Sequence, residues 1–112
     1  MFDNDPVPSK TYKLRAPGVS EHAIYFTVVG DTVIQALFVN SKAMESFQWI
    51  SALMISYTRQ LSAGIPVNQI IDDMEQTFDP KGSYINPDGS NEEMHSVVQH
   101  LGRLLKRHVD DV

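Results

Sequence analysis

The sequence contains no cysteine, which removes disulfides, thiolate zinc sites, iron–sulfur clusters and cysteine nucleophiles at one stroke. A small secreted scaffold stapled by disulfides is excluded with them, and the cell interior is the expected location. Long hydrophobic runs are missing as well. The longest, Ala36 to Val39 and Ile50 to Ile55 interrupted by Ser51, fall far short of the roughly 20 apolar residues of a membrane-spanning helix. Met1 to Ser9 is acidic and carries proline without an apolar stretch, so it does not read as a signal peptide and is expected to be tail. Positive charge is outweighed, with 9 Lys and Arg against 14 Asp and Glu and a formal net charge of −5. That balance speaks against a coat for DNA or RNA, which needs a sizeable positive surface, although it leaves room for a local cationic pocket. The basic residues are uneven: Lys10, Lys13 and Arg15 lie early, and Arg103, Lys106 and Arg107 lie late beside His100 and His108.

Catalytic patterns are also lacking. His22, His95, His100 and His108 show no paired ligand spacing with a carboxylate, and neither a His-Glu-x-x-His helix nor a Gly-x-Ser-x-Gly elbow is present. No metal site, cofactor or enzyme is expected. Asp72, Asp73 and Glu75 form a carboxylate group that reads as a solvated helix face.

What is there suits one core: 112 residues, 42% of them hydrophobic. The expected organisation is a flexible tail over 1–10, a single α+β ligand-binding domain over 11–109 and a frayed tail over 110–112. Thr11 to Arg15 alternates like a short strand and stops at Ala16-Pro17-Gly18. Ala23 to Val29 and Thr32 to Val39 read as a hairpin closed by a two-residue Gly30-Asp31 turn, with Ile24, Phe26 and Val28 on one face. Asn40-Ser41 then offers an N-cap for a helix from Lys42 to Ser62, whose stripe is Phe47, Ile50, Leu53, Met54, Tyr57 and Leu61. Trp49 is expected in a core or a subunit interface. Gly64 ends the helix and Pro66 opens a shorter one that carries Val67, Ile70, Ile71 and Met74. Phe78 to Ser90, with its prolines and glycines, reads as loop. A last helix is expected from Asn91 to Val109, with Met94, Val97, Val98, Leu101, Leu104 and Leu105 inward and Glu92 and Glu93 at its positive end. The fold class is thus α+β, an antiparallel sheet of a hairpin plus a short N-terminal strand against two to three helices.

Two segments could carry binding. The loop from Phe78 to Ser90 combines aromatics, short polar side chains and Lys81 ahead of a helix, groups that can stack on a base and hold sugar or phosphate oxygens. The same composition suits a structured connector whose aromatics plug the core. Arg103 and Arg107 are four apart on the last helix, with His100 on the same face, so two guanidinium forks could clamp phosphate oxygens. Cations in the last turns also stabilise a helix against its own dipole without any ligand. Gly102 inside that helix points to a close approach, by a ligand or by a neighbouring helix.

Leu37-Phe38-Val39-Asn40-Ser41-Lys42, Trp49-Ile50-Ser51-Ala52-Leu53, Leu61-Ser62-Ala63-Gly64-Ile65-Pro66-Val67 and Ile70-Ile71 resemble the TSCPD domain at the end of vitamin-B12-dependent ribonucleotide reductases. Phe78 to Tyr84, and Ser96-Val97-Val98 followed by Leu101-Gly102, resemble its stand-alone bacteriophage relatives more closely. The Thr-Ser-Cys-Pro-Asp string that names the reductase domain is absent, and so is the reductase barrel. Among the stand-alone relatives, the sequence is similar to the anti-Thoeris family. That resemblance implies an anti-defence protein of the infected bacterial cytoplasm. It would sequester cyclic ADP-ribose isomers, and by extension the cyclic oligonucleotides of CBASS immunity, without cleaving them, and so keep Thoeris effectors inactive. It also implies a homo-oligomer, dimer or hexamer, with pockets between subunits. The ligand would be held by Phe78, Asn86, Asp88, Arg103 and Arg107. The alternative is an accessory or regulatory domain of the reductase kind.

Overall fold

The structure, a computed structural model, describes residues 7–42 and 47–111. Strands β1 (Ser9–Leu14), β2 (Ile24–Val29) and β3 (Ala36–Ser41) form an antiparallel sheet in the order β1-β2-β3. The alternation read from the sequence sets its faces: Ile24, Phe26 and Val28 are buried, with Leu37 of β3 beside them in the core. Helix α1 (Gln48–Ser62) covers β3 with Ile50, Met54 and Tyr57. Thr58 fastens the two, its Oγ1 accepting from the Leu37 N–H at 3.0 Å and donating to the Leu37 carbonyl at 3.3 Å. Gly64 closes α1 in a Schellman arrangement, with Ile65 N–H bonded to the Gln60 carbonyl and Gly64 N–H to that of Leu61. Helix α2 (Val67–Glu75) follows Pro66 and packs against α3 (Val97–Asp110), and a two-stranded ribbon, β4 (Tyr84–Ile85) with β5 (Glu93–Met94), fills the connection between them. The class is α+β, as the sequence leads one to expect. No described helix is long and apolar enough to cross a membrane.

Several local expectations are corrected. The β2–β3 connection spans 30–35 rather than two residues, because Val29 pairs with Ala36. Ile34 is drawn into the core, and Gly30, at φ 110°, lies where an added Cβ would collide with the Val33 carbonyl oxygen. Ser41, expected as an N-cap, instead ends β3 opposite Ile24 and donates from Oγ to the Ala23 carbonyl at 2.9 Å. Helix α1 accordingly begins at Gln48 rather than Lys42, and 43–46 lie outside the described residues.

The last helix begins at Val97 rather than Asn91. Asn91 is in the left-handed region at φ 58°, Met94 belongs to β5, and Ser96 caps the helix by accepting from the Gln99 N–H at 2.9 Å. Gln99 reaches back to accept from the His95 N–H at 2.8 Å, a close variant of the reciprocal capping box. Glu92 and Glu93 are therefore not in its first turn. Finally, Trp49 is 51% exposed and is not part of the core of this chain. At the tail boundaries, β1 starts at Ser9 and α3 reaches Asp110.

Candidate ligand-binding cleft

The C-terminal half of α3 lies beside the edge strand β1, and His108 fastens the two. The buried His108 ring shares a 2.8 Å hydrogen bond between Nδ1 and the Tyr12 hydroxyl, and its Nε2 lies 2.9 Å from the Gly30 carbonyl. A carbonyl only accepts, so Nε2 carries the proton toward Gly30, and in the neutral ring Nδ1 accepts from Tyr12. Strand β1, the 86–88 turn and α3 then enclose a cleft of about 430 Å³. It is lined by Tyr12, Leu14 and Leu104 as apolar wall and by Lys13, Arg15, Asn86, Asp88, His100 and Arg107 as polar groups.

The turn is held by short polar side chains that each accept from its own backbone through one oxygen. The Asn86 Oδ1 accepts from the Asp88 N–H at 3.2 Å, the Asp88 Oδ1 from the Ser90 N–H at 2.9 Å, and the Ser90 Oγ from the Glu92 N–H at 3.2 Å. Hydrogen bonds from Ser90 hold the Asp88 carboxyl below the usual range, helped by the Arg107 charge. His100 is 4% exposed, and burial pushes its basicity down despite the nearby carboxylates of Asp88 and Glu92. At neutral pH the cleft therefore offers Lys13, Arg15 and Arg107 as cations, a neutral imidazole and one carboxylate.

Of the residues singled out from the sequence, Asn86, Asp88 and Arg107 come together in this cleft, whereas Phe78 and Arg103 are not in its lining. Arg103 lies on the α2 side of α3, where its Nε donates to Glu75 Oε2 at 2.8 Å and its Nη1 to Glu92. These carboxylates hold it firmly protonated. Phe78 is 63% exposed, its ring tilted against that of His95 at 4.7 Å between centroids. Gly102 answers the question of close approach within this chain: a Cβ there would stand 2.7 Å from the Met74 Cβ and 3.2 Å from the Glu75 nitrogen, so α2 needs the space. The cleft residues not singled out as a site include Tyr12, Lys13, Leu14, Arg15 and Leu104. The early grouping of basic residues was the available signal for Lys13 and Arg15. Among the described residues, no cluster of three or more His, Asp or Glu could hold a metal ion.

Sheet, helices and cleft define the class: a small α+β domain with a cationic hollow between an edge strand and its last helix. A family model for the TSCPD domain matches residues 5–109, and the chain belongs to the TSCPD domain family. No curated protein and no solved structure matches it.

Proposed function

We propose that this protein binds a cyclic nucleotide carrying a diphosphate, of the cyclic ADP-ribose kind, and sequesters it without cleaving it. In this reading it is a bacteriophage anti-defence protein that works in the host cytoplasm as a homo-oligomer and withholds an immune signal from its effector. The observation that carries the reading is the cleft. Its volume of about 430 Å³ falls in the range of small-molecule sites, roughly 300–1,000 Å³. Its charge is local and positive in a chain of net charge −5. Arg107, Lys13 and Arg15 suit phosphate oxygens, Asn86 and Asp88 suit ribose hydroxyls, and Tyr12, Leu14 and Leu104 suit an apolar ring face. The exposed ring of Phe78 is assigned to stacking on a base within the oligomer, where a second subunit can bring it to a pocket. A binder of this kind needs no general base, and sequestration asks only for slow release.

Isothermal titration with cyclic ADP-ribose tests the reading, followed by denaturation of the complex and recovery of the ligand. Saturable binding with intact ligand recovered is the expected result. Recovery of linear ADP-ribose would overturn the non-catalytic assignment, and no heat with any cyclic nucleotide would overturn the whole. Family membership equally supports a second reading, an accessory domain of the ribonucleotide reductase kind. Co-purification with a reductase subunit, together with silence toward cyclic nucleotides, would select it.

A further inference from the structure

His100 is held at one end and open at the other. Its Nδ1 lies 2.6 Å from the hydroxyl of Tyr84 on β4, with the rings 5.7 Å apart and tilted by 42°. Both residues are buried. Nε2 has no hydrogen-bond partner among the described residues, and no buried side-chain nitrogen or oxygen among them lacks one. This nitrogen is therefore not sealed in the core, and the surface that His100 lines is the cleft.

The shared proton can sit in only one satisfactory place. If the Nδ1–H donated to Tyr84, the phenolic hydrogen would need a further acceptor, and none is present among the described residues. A buried donor left without an acceptor loses its hydration and gains nothing in return. If Tyr84 donates to Nδ1, both groups are satisfied and the ring proton moves to Nε2. Burial acts in the same direction, raising the Tyr84 hydroxyl well above its ordinary range and lowering His100. The charged groups around the ring, Asp88 on the turn, Glu92 ahead of β5 and Arg103 and Arg107 on α3, act on it with opposing signs.

We propose that Tyr84 is a positioning residue that locks His100 as its Nε2–H tautomer, so that the cleft presents a fixed, neutral donor selecting an ionised phosphate oxygen. This inference rests on the cleft being an anion site, the part it shares with the proposed function. Lys13, Arg15 and Arg107 attract charge through flexible stems, whereas His100 adds direction. The lock also restrains proton uptake on binding, because protonating Nδ1 would turn the Tyr84 hydroxyl away from its acceptor. In Tyr84→Phe the ring is released. It can shift its proton to Nδ1 and turn a lone pair toward the ligand, or take a second proton as the pH falls.

Two measurements test this. Nitrogen-15 correlation spectra of the ligand-free protein should place the neutral His100 proton on Nε2, and a proton on Nδ1 would overturn the lock without reference to any ligand. Titrations of wild type and Tyr84→Phe with cyclic ADP-ribose and with ADP-ribose should then show nearly constant affinity for wild type between about pH 8 and about pH 6. The variant should be roughly tenfold weaker at the higher pH, the scale of one lost hydrogen bond to a charged group, and should recover at the lower. Equal affinities at both pH values would overturn the donor role. Binding of ADP-ribose with no binding of cyclic ADP-ribose would end the sequestration reading and leave this inference standing.

Discussion

The two sides of α3 carry similar residues toward different ends. Toward α2 the helix presents Gly102 and Arg103, and both are consumed by packing: the glycine by contact with Met74 and Glu75, the arginine by Glu75 and Glu92. Toward β1 it presents His100, Leu104 and Arg107, which leave a cleft, and Arg107 is in no ion pair among the described residues. A four-residue spacing places two arginines on neighbouring turns, but counter-charges from distant parts of the chain decide which one is spent on the fold. Glu75 comes 28 residues before Arg103 in the chain. A spent cation braces the loop that shapes the cleft, and an unspent one can meet a ligand.

Crowding the α2 side tests whether that face of α3 is consumed by packing. Gly102→Ala gains up to about 1 kcal/mol of helix propensity. It also forces a Cβ to within 2.7 Å of the Met74 Cβ and 3.2 Å of a backbone nitrogen, neither of which is a flexible side-chain end. Overpacking of this kind costs about 1–3 kcal/mol, so a net destabilisation is expected in urea melts, with cyclic ADP-ribose affinity retained where the protein is folded. A more stable variant would show that α2 does not need the space.

Arginine replacements come next. Arg107→Ala should weaken cyclic ADP-ribose binding by roughly 10- to 100-fold, the range for charge-assisted bonds to phosphate, with little change in melting temperature. Arg103→Ala should do the reverse: a stability loss of about 0.5–1 kcal/mol, as for a partly exposed ion pair, with affinity nearly kept. If Arg103→Ala lost binding as fully as Arg107→Ala, Arg103 would return to the phosphate-holding role that the family resemblance implies.

Periodic features were legible in the sequence, and long-range pairings were not. The alternation through Ile24, Phe26 and Val28 predicts the buried sheet face, and the apolar steps through Leu101 and Leu105 predict the inner stripe of α3. Both depend on local geometry alone. The length of the β2–β3 connection depends on Ile34 docking in the core and on His108, 78 residues from Gly30, engaging its carbonyl. No local pattern carries that. The start of α3 was encoded, since Ser96 and Gln99 carry a capping signal, but Met94 continues the helical apolar spacing upstream and masks it. The site divides the same way. Asn86, Asp88 and Arg107 were legible as phosphate- and sugar-binding chemistry near one helix, while the contribution of Lys13 and Arg15 requires knowing that the edge strand lies beside that helix.

The gentlest probe of the cleft side is pH. Burial lowers the proton affinity of His100 in the folded protein below its ordinary value of 6.5, so the unfolded chain binds more protons through this group as the pH falls. Stability attributable to His100 is thus complete above about pH 6.5 and declines below it, until the pH passes the folded value. Asp88 acts in the same sense but in a separate window, because its carboxyl is depressed from 3.8 and its contribution is lost only at lower pH. Melting temperatures of wild type and His100→Asn should therefore diverge above pH 6.5 and converge below it, before the Asp88 window is reached. A melting temperature that rises on acidification through the histidine range in wild type alone would mean that His100 is held protonated. The cleft would then carry a fourth cation beside Lys13, Arg15 and Arg107 in place of a neutral donor.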